Sequence, residues 1–410
     1  MIAFARPSEF TAQLIAYAAS EAAAKASRLL VVIAVARTMS PEAIGIAAAA
    51  LASGDILKAL TENGVGQKII SASDDALERT CATARRIFFA WCGGLFVLQC
   101  LIAAALAFFG NPMLGALLAL LALEYLFMPA GLVQAALAMR EGKLRQTAAI
   151  AGGQVVGANA LTVVLALVWP SPLTLVLPRV LSAPIWLVLM RRLRPWTPVA
   201  TAGHAPIRPF VTYGWAVLGT EMVKVLRLQS DKLIVGALLG AESLGIYFMA
   251  FNAGLGLATS FTQAFSVVLF PHLCASGNRD EAVRQSLGVS LLMLTPLVVA
   301  QAVLAPIYVP LLLGPEWTDV AHVVSILCLA ALPTVIWSAT AGWLRSEGRP
   351  QQELLVSAIL AAALAINTTL LAPFGLTAIA IGYLCVSTLI MLSAALVMLP
   401  KSTVPQTVEL

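Results

Sequence analysis

Unbroken apolar stretches of about 20 residues or more recur along the whole chain, each long enough to cross the hydrocarbon core of a bilayer as a single helix. Lipid offers no partner to a backbone N–H or C=O, so a spanning segment must pair these groups internally, as a helix or a closed barrel. A barrel would alternate apolar and polar residues over segments of about ten. The continuous stretches here therefore predict an all-α integral membrane protein. Sixty per cent of the 410 residues are hydrophobic and only 11% are charged, with a mean hydropathy of +0.91. A soluble domain carries roughly 25% charged residues, so a water-soluble fold is excluded.

Taking each stretch as one crossing places spans near 10–38, 43–66, 86–108, 113–138, 147–169 and 172–190, then 210–238, 243–270, 287–313, 318–343, 352–373 and 376–398. That is about 12 transmembrane helices, arranged as an N-terminal six-helix lobe (1–190), an Arg- and Pro-rich cytoplasmic linker (191–209) and a C-terminal six-helix lobe (210–410). The basic residues between spans, such as Arg85, Arg86, Arg191 and Arg192, fall on one side, and the opposite loops hold only Arg37. By the positive-inside rule both termini are cytoplasmic. The stretch before the first span carries Arg6 and Glu9 and shows no signal-peptide pattern, so the first span is expected to be retained.

The two halves echo each other at a shift of 200 residues. Ten identities fall in the 61 positions Phe10–Ile70, among them Glu21 with Glu221 and Glu42 with Glu242. The turn MSPEAIGI (39–46) answers LGAESLGI (239–246), and REGK (140–143) answers SEGR (346–349). Six spans per copy keep both copies in one orientation, which makes this a parallel repeat of the kind transporters use.

Charges inside the spans are the candidate functional residues, because one charge at a span centre costs about 2.5–3.5 kcal/mol. Glu21, Lys25 and Arg28 lie on one face of the first span, and Glu221, Lys224, Arg227 and Asp231 at successive returns of the seventh. Asp55, Lys58 and Glu62 form a third stripe, Glu124 sits in the fourth span and Arg179 in the sixth. Two readings stand side by side. Seven cations, counting Lys232, nearly balance six acids and could satisfy one another structurally; alternatively, the cations line a hydrated cavity for an anionic cargo. On the second reading Lys25, Arg28, Lys58, Arg179, Lys224 and Arg227 bind substrate, and Glu21, Asp55, Glu124, Glu221 and Asp231 are the candidate ion-coupling acids.

Other chemistry finds little footing. The basic loops answer to membrane topology, so nucleic acid is not an expected partner, and the six cysteines and three histidines show no metal-ligand spacing. No cofactor is expected. A GxxxxGK[ST] loop is absent, which rules out nucleotide hydrolysis by this motif. A membrane enzyme would need a sizeable extramembrane loop, and the longest connections are about 19 residues. Tyr213, Trp215 and Trp317 suit an interfacial belt, while Gly45, Gly54, Gly245, Gly254 and Gly256 suit close helix packing.

Several segments resemble the polysaccharide and O-antigen flippases (Wzx-like) of the multidrug/oligosaccharidyl-lipid/polysaccharide exporter superfamily: ARTMSPEAIGIAAAA (36–50), NGVGQKII (63–70), SDKLIVGALLGAESLGIYFMAFN (230–252) and LFPHL (269–273). In that family an Asp followed by a basic residue opens such a segment and a Leu-Gly-x-Tyr turn starts the next span. Asp231, Lys232 and Leu244 to Tyr247 fit this pattern. The resemblance implies two lobes around a largely cationic cavity, in a bacterial inner membrane, passing an undecaprenyl-pyrophosphate-linked oligosaccharide to the periplasmic leaflet for surface polysaccharide synthesis. The implied partners are that lipid-linked oligosaccharide, membrane lipid and other polysaccharide-assembly membrane proteins. The near balance of charge departs from a strongly cationic lumen. An ion-coupled drug exporter of the same superfamily is the alternative, whereas the Arg-Gly-Arg cluster of major-facilitator transporters is missing from residues 71–86.

Overall fold

The computed structural model describes residues 27–199 and 203–399, so Glu21 and Lys25 lie outside the described residues. Among the described residues there is no strand, and helix follows helix from end to end. Eight of these helices are long and apolar enough to cross a membrane, and a bent pair brings the number to as many as nine. The protein is a multi-pass, all-α membrane protein.

Helix α1 covers residues 27–38 and α2 covers Pro41–Ala59. The start of α2 is written in its sequence: Pro41 needs no N–H partner, and the Ser40 hydroxyl accepts a hydrogen bond from Ala43 N at 3.3 Å. After the short α3 (Val65–Ile70) comes the long α4 (Leu77–Phe108). The fourth apolar stretch, read above as one crossing, is broken into α5 (Pro112–Ala122), α6 (Glu124–Phe127) and α7 (Pro129–Arg140), bent by 52°. Pro129 supplies a reason, since its ring cannot donate to the preceding turn and clashes with it. Glu124 opens α6, at the interruption that precedes this bend. Helices α8 (Leu144–Val168) and α9 (Leu173–Leu193) follow, and α9 carries Pro178 immediately before Arg179.

Helix α10 runs from Arg208 to Ala275 and is interrupted at Gly240. Its φ of 86° there is open to glycine and strained for other residues, so the chain turns at the position equivalent to Ser40. Next come α11 (Arg279–Leu313), a 3-10 turn (Pro315–Val320), α12 (Ala321–Leu329), α13 (Ala331–Ser346), α14 (Pro350–Leu371) and α15 (Leu376–Met398).

The chain forms two compact units. One holds the described residues up to Met249 together with Leu312–Gly314; the other holds Ala250–Leu311 and the described residues from Pro315 on. In the first, Val65, Ile69, Phe88, Val133 and Phe210 make one buried cluster, and Ala50, Leu117, Val176 and Val180 another. Helix α8 shows Val155, Val164, Leu167 and Val168 outward, as a lipid-facing helix does. In the second unit the stretch Pro315–Ser346 is the enclosed one. Gln301 Nε2 donates to the carbonyls of Ala253 and Gly254 at 2.9 and 3.1 Å, the Ser266 and Ser338 hydroxyls meet at 2.5 Å, and Phe251 packs edge-on against Tyr383. Trp215 is exposed, as an interfacial residue would be, but Trp317 is buried because the 3-10 turn folds it inward.

The echo between REGK and SEGR is a shared helix ending. Gly142 N donates to Met139 O and Lys143 N to Ala138 O; Gly348 N donates to Arg345 O and Arg349 N to Leu344 O. Both glycines have positive φ, and both ends are the same carbonyl-satisfying motif.

Candidate functional site

The charges read from sequence separate into three groups inside the first unit. The largest is a four-residue network drawn from α2, α6 and α9. Asp55 and Lys58 lie one turn apart on α2, so both face the same side. Glu124 projects from the break in span four, and Arg179 follows the proline that interrupts the hydrogen bonding of α9. Arg179 ties the set together: its Nη2 lies 2.6 Å from Asp55 Oδ1 and its Nε 2.8 Å from Glu124 Oε1. Lys58 Nζ pairs with the other oxygen, Oε2, of Glu124. Gln229 of α10 donates to Asp55 Oδ2 at 3.1 Å, which brings a fourth helix to the site.

The arrangement is charge-neutral, two acids against two cations, and it lowers the cost of placing four charges among apolar helices. It is not sealed. The side chains of Lys58 and Arg179 keep 35% and 27% of their exposure, against 6% for Glu124. The cations thus keep part of their surface uncovered by protein, while the acid that holds both is buried.

A second group is the Glu221–Lys224 pair on α10, at 2.7 Å. Glu62, just past the end of α2, lies within electrostatic reach of Lys58, Glu221 and Lys224, and so links the two groups. The third group is buried and separate. Asp231 accepts hydrogen bonds from Tyr247 Oη and Lys232 N, each at 2.9 Å, and Lys232 Nζ lies 3.5 Å from Asp231 Oδ1. The Tyr247–Asp231 bond clamps the helix before Gly240 to the helix after it. Of the remaining candidates, Arg28 is exposed on α1 and Arg227 is half-buried on α10, and neither takes part in the four-residue network.

Three participants escaped the reading of charges. Gln99, Gln229 and Tyr247 carry no charge, yet each sits at or beside an ion pair. Their signal was a polar side chain inside an apolar stretch, as in VLQCL around Gln99.

A family model described as "Polysaccharide biosynthesis protein" matches residues 34–322, which includes every residue of the network. The chain belongs to the polysaccharide biosynthesis protein family. Within it, the chain is similar to the lipopolysaccharide biosynthesis protein WzxC of Escherichia coli (strain K12), 24% identical over 274 residues, or 65% of this chain and 52% of that protein. The chain spans about half the length of the curated relatives it matches. Among solved structures, the lipid II flippase MurJ in an inward closed conformation superimposes with a TM-score of 0.77 at 11% identity, over 93% of this chain and 87% of that one. An inward-facing multidrug resistance MATE family transporter of the MOP superfamily gives 0.67 at 13%, over 90% and 92%. At these identities the likeness is one of fold. The family member described here therefore shares its fold with these two transporters and carries a charged network on its apolar helices.

Proposed function

We propose that this protein is a flippase carrying an undecaprenyl-pyrophosphate-linked oligosaccharide from the cytoplasmic to the periplasmic leaflet of a bacterial inner membrane, for surface polysaccharide synthesis. On this reading it acts as a transporter and not an enzyme. It crosses the membrane about twelve times, as two six-helix lobes (1–190 and 210–410) joined by the 191–209 linker, with both termini cytoplasmic. Lys58 and Arg179 serve as head-group ligands, joined by Lys25, Arg28, Lys224 and Arg227.

The observation that carries the reading is the pair of partly exposed cations, Lys58 and Arg179, on apolar helices of a polysaccharide biosynthesis family member. A diphosphate accepts charge-assisted hydrogen bonds from such groups, and these gain strength where water is scarce. The lipid tail stays in the bilayer while the head crosses. The names of WzxC and MurJ point the same way. The near-neutral network favours the second reading, a small-molecule exporter, and the MATE likeness agrees with it.

Leaflet-resolved detection of the lipid-linked sugar in a deletion strain separates the two. The flippase reading expects the sugar lipid to accumulate on the cytoplasmic leaflet while its synthesis continues. Normal outer-leaflet exposure and normal surface polysaccharide, in a strain with no redundant transporter, would move the assignment to small-molecule export.

A further inference from the structure

Beside the charged network lies a cavity of about 10 Å³ bordered by Lys58, Gln99, Glu124, Tyr125 and Arg179. That volume is about the size that admits one water. Gln99 comes from α4, is 1% exposed, and donates its Nε2 to the carbonyl of Leu118 at 2.8 Å. This hydrogen bond fixes the amide orientation of a side chain that lines the cavity. Gln99 Oε1 has no hydrogen-bond partner among the described residues. A buried acceptor left unpaired is unfavourable, so the site holds an acceptor with no donor turned to it.

Both cations bordering the cavity are already paired with acids. Lys58 Nζ is hydrogen-bonded to Glu124 Oε2, and Arg179 is ion-paired with Asp55 and with Glu124 Oε1, which like Gln99 Oε1 has no hydrogen-bond partner among the described residues. An ionised carboxylate only accepts, whereas a protonated one gains an O–H that must be donated. Among the described residues, the titratable or charged groups facing Glu124 are Lys58 and Asp55 from α2, Arg179 from α9 and Tyr125 beside it on α6, with Cys92 of α4 behind Tyr125. Helix α5 brings Leu121, and Arg140 of α7 is held away at Asp74.

We propose that Glu124 is a proton-exchanging carboxyl whose protonated form donates to Gln99 Oε1, directly or through one cavity water, while Lys58 and Arg179 are released to an anionic diphosphate. Gln99 is then a positioning residue for this exchange. The inference rests on the head-group reading above and adds how that site is regulated.

The steps balance. In the resting network Glu124 occupies both cations. When a diphosphate takes over Lys58 and Arg179, Glu124 loses its compensating charges, and an uncompensated buried carboxylate is strongly unfavourable. It takes one proton from water, and the resulting O–H meets the acceptor that Gln99 holds ready. When the diphosphate leaves, the proton returns to water and the ion pairs re-form. Anion binding and proton uptake are thereby linked through a single carboxyl.

The test uses the full chain in lipid nanodiscs with inorganic pyrophosphate as the probe. Calorimetric titration in two buffers of different ionisation enthalpy counts the protons taken up on binding, and the difference between wild type and Glu124→Gln removes the contribution of pyrophosphate itself. We expect that difference to be about one proton per pyrophosphate bound. Infrared difference spectra on the wild type should show a protonated-carboxyl band appearing on binding, and Gln99→Met should shift its frequency while pyrophosphate still binds. Binding with no such band, or with the same proton uptake in Glu124→Gln, overturns the exchange and leaves the head-group site standing. Pyrophosphate binding unaffected by both Lys58→Gln and Arg179→Gln, or absent altogether, removes the head-group site and the exchange with it.

Discussion

Gly45 and Gly245 face one another with their backbones in contact, so that a Cβ on Gly45 would fall on the Ala241 carbonyl and one on Gly245 on the Pro41 carbonyl. The contact is reciprocal at a shift of 200 residues, 45 with 241 and 245 with 41. It is the geometry of a two-fold related pair built from two copies of one turn. The weak sequence echo between MSPEAIGI and LGAESLGI thus has a physical cause: each copy must present a glycine for the other to approach.

Filling that contact should destabilise the protein by more than an ordinary surface change. Gly45→Val and Gly245→Val each require two backbones to separate, and overpacking of this kind costs about 1–3 kcal/mol or more. Gly256→Ala is the control, since a Cβ there meets nothing within 4 Å. Thermal unfolding in detergent should show a clear drop for the first two and little change for the third. Equal stability of all three would mean that the close approach is not maintained in the membrane.

The positive-inside assignment places Glu242, in the turn after Gly240, outside, and Asp75, in the loop before α4, inside. Both side chains are exposed. On a background without the six native cysteines, Glu242→Cys should react with an impermeant thiol reagent from the periplasm, and Asp75→Cys should react only after the cells are opened. The opposite labelling would invert the topology.

At the end of α7 the Glu141 carboxylate is held below its ordinary value of 4.5 by hydrogen bonds from Lys143 and Arg194. Both pairs link α7 to its neighbours, Lys143 at 2.9 Å and Arg194 at 2.5 Å. A lowered value in the folded state means that the stabilisation is present above the unfolded carboxyl's titration and is lost as pH falls below it. The carboxylate is exposed, so solvent screening keeps the contribution to at most about 0.5 kcal/mol. Glu141→Gln should therefore flatten the acid limb of a stability–pH curve slightly and leave the neutral region within that amount of wild type.

Fold class was legible because twenty-residue apolar runs leave lipid-exposed backbone one economical solution, and the turns were legible because Pro41, Gly142 and Gly348 demand particular geometry. The bend at Pro129 was not, since a proline inside an apolar run reads as a tolerated kink until its neighbours are seen. At the site, spacing put Asp55 with Lys58 and Glu221 with Lys224 on common faces, because helical periodicity is local. It could not show that Arg179, 124 residues from Asp55, bridges it to Glu124, for that depends on how three helices pack. Gln99 stayed hidden for the related reason that a neutral polar residue acquires meaning only from what it faces.

Whether Lys58 is there for the fold or for the cargo can be decided by removing the ion pair as a pair. Lys58→Gln alone leaves Glu124 with one cation and Glu124→Gln alone leaves Lys58 with none from that partner, so each single change combines a lost ligand with a buried imbalance. Breaking one side of a buried pair costs about 3–5 kcal/mol, while replacing both sides with neutral groups is frequently close to neutral. Exposure of Lys58 places it toward the lower end of that range. The double variant Lys58→Gln/Glu124→Gln should accordingly unfold near the wild-type temperature, with a coupling of about 1–3 kcal/mol relative to the two singles. If Lys58 served only to balance Glu124, transport of the sugar lipid in a complementation assay would recover with stability. The head-group role predicts otherwise: the stable double variant should still fail to restore surface polysaccharide, because Gln offers an anion no charge. Recovery of both stability and polysaccharide in the double variant would assign Lys58 to the scaffold and leave Arg179 and the α10 cations to meet the diphosphate.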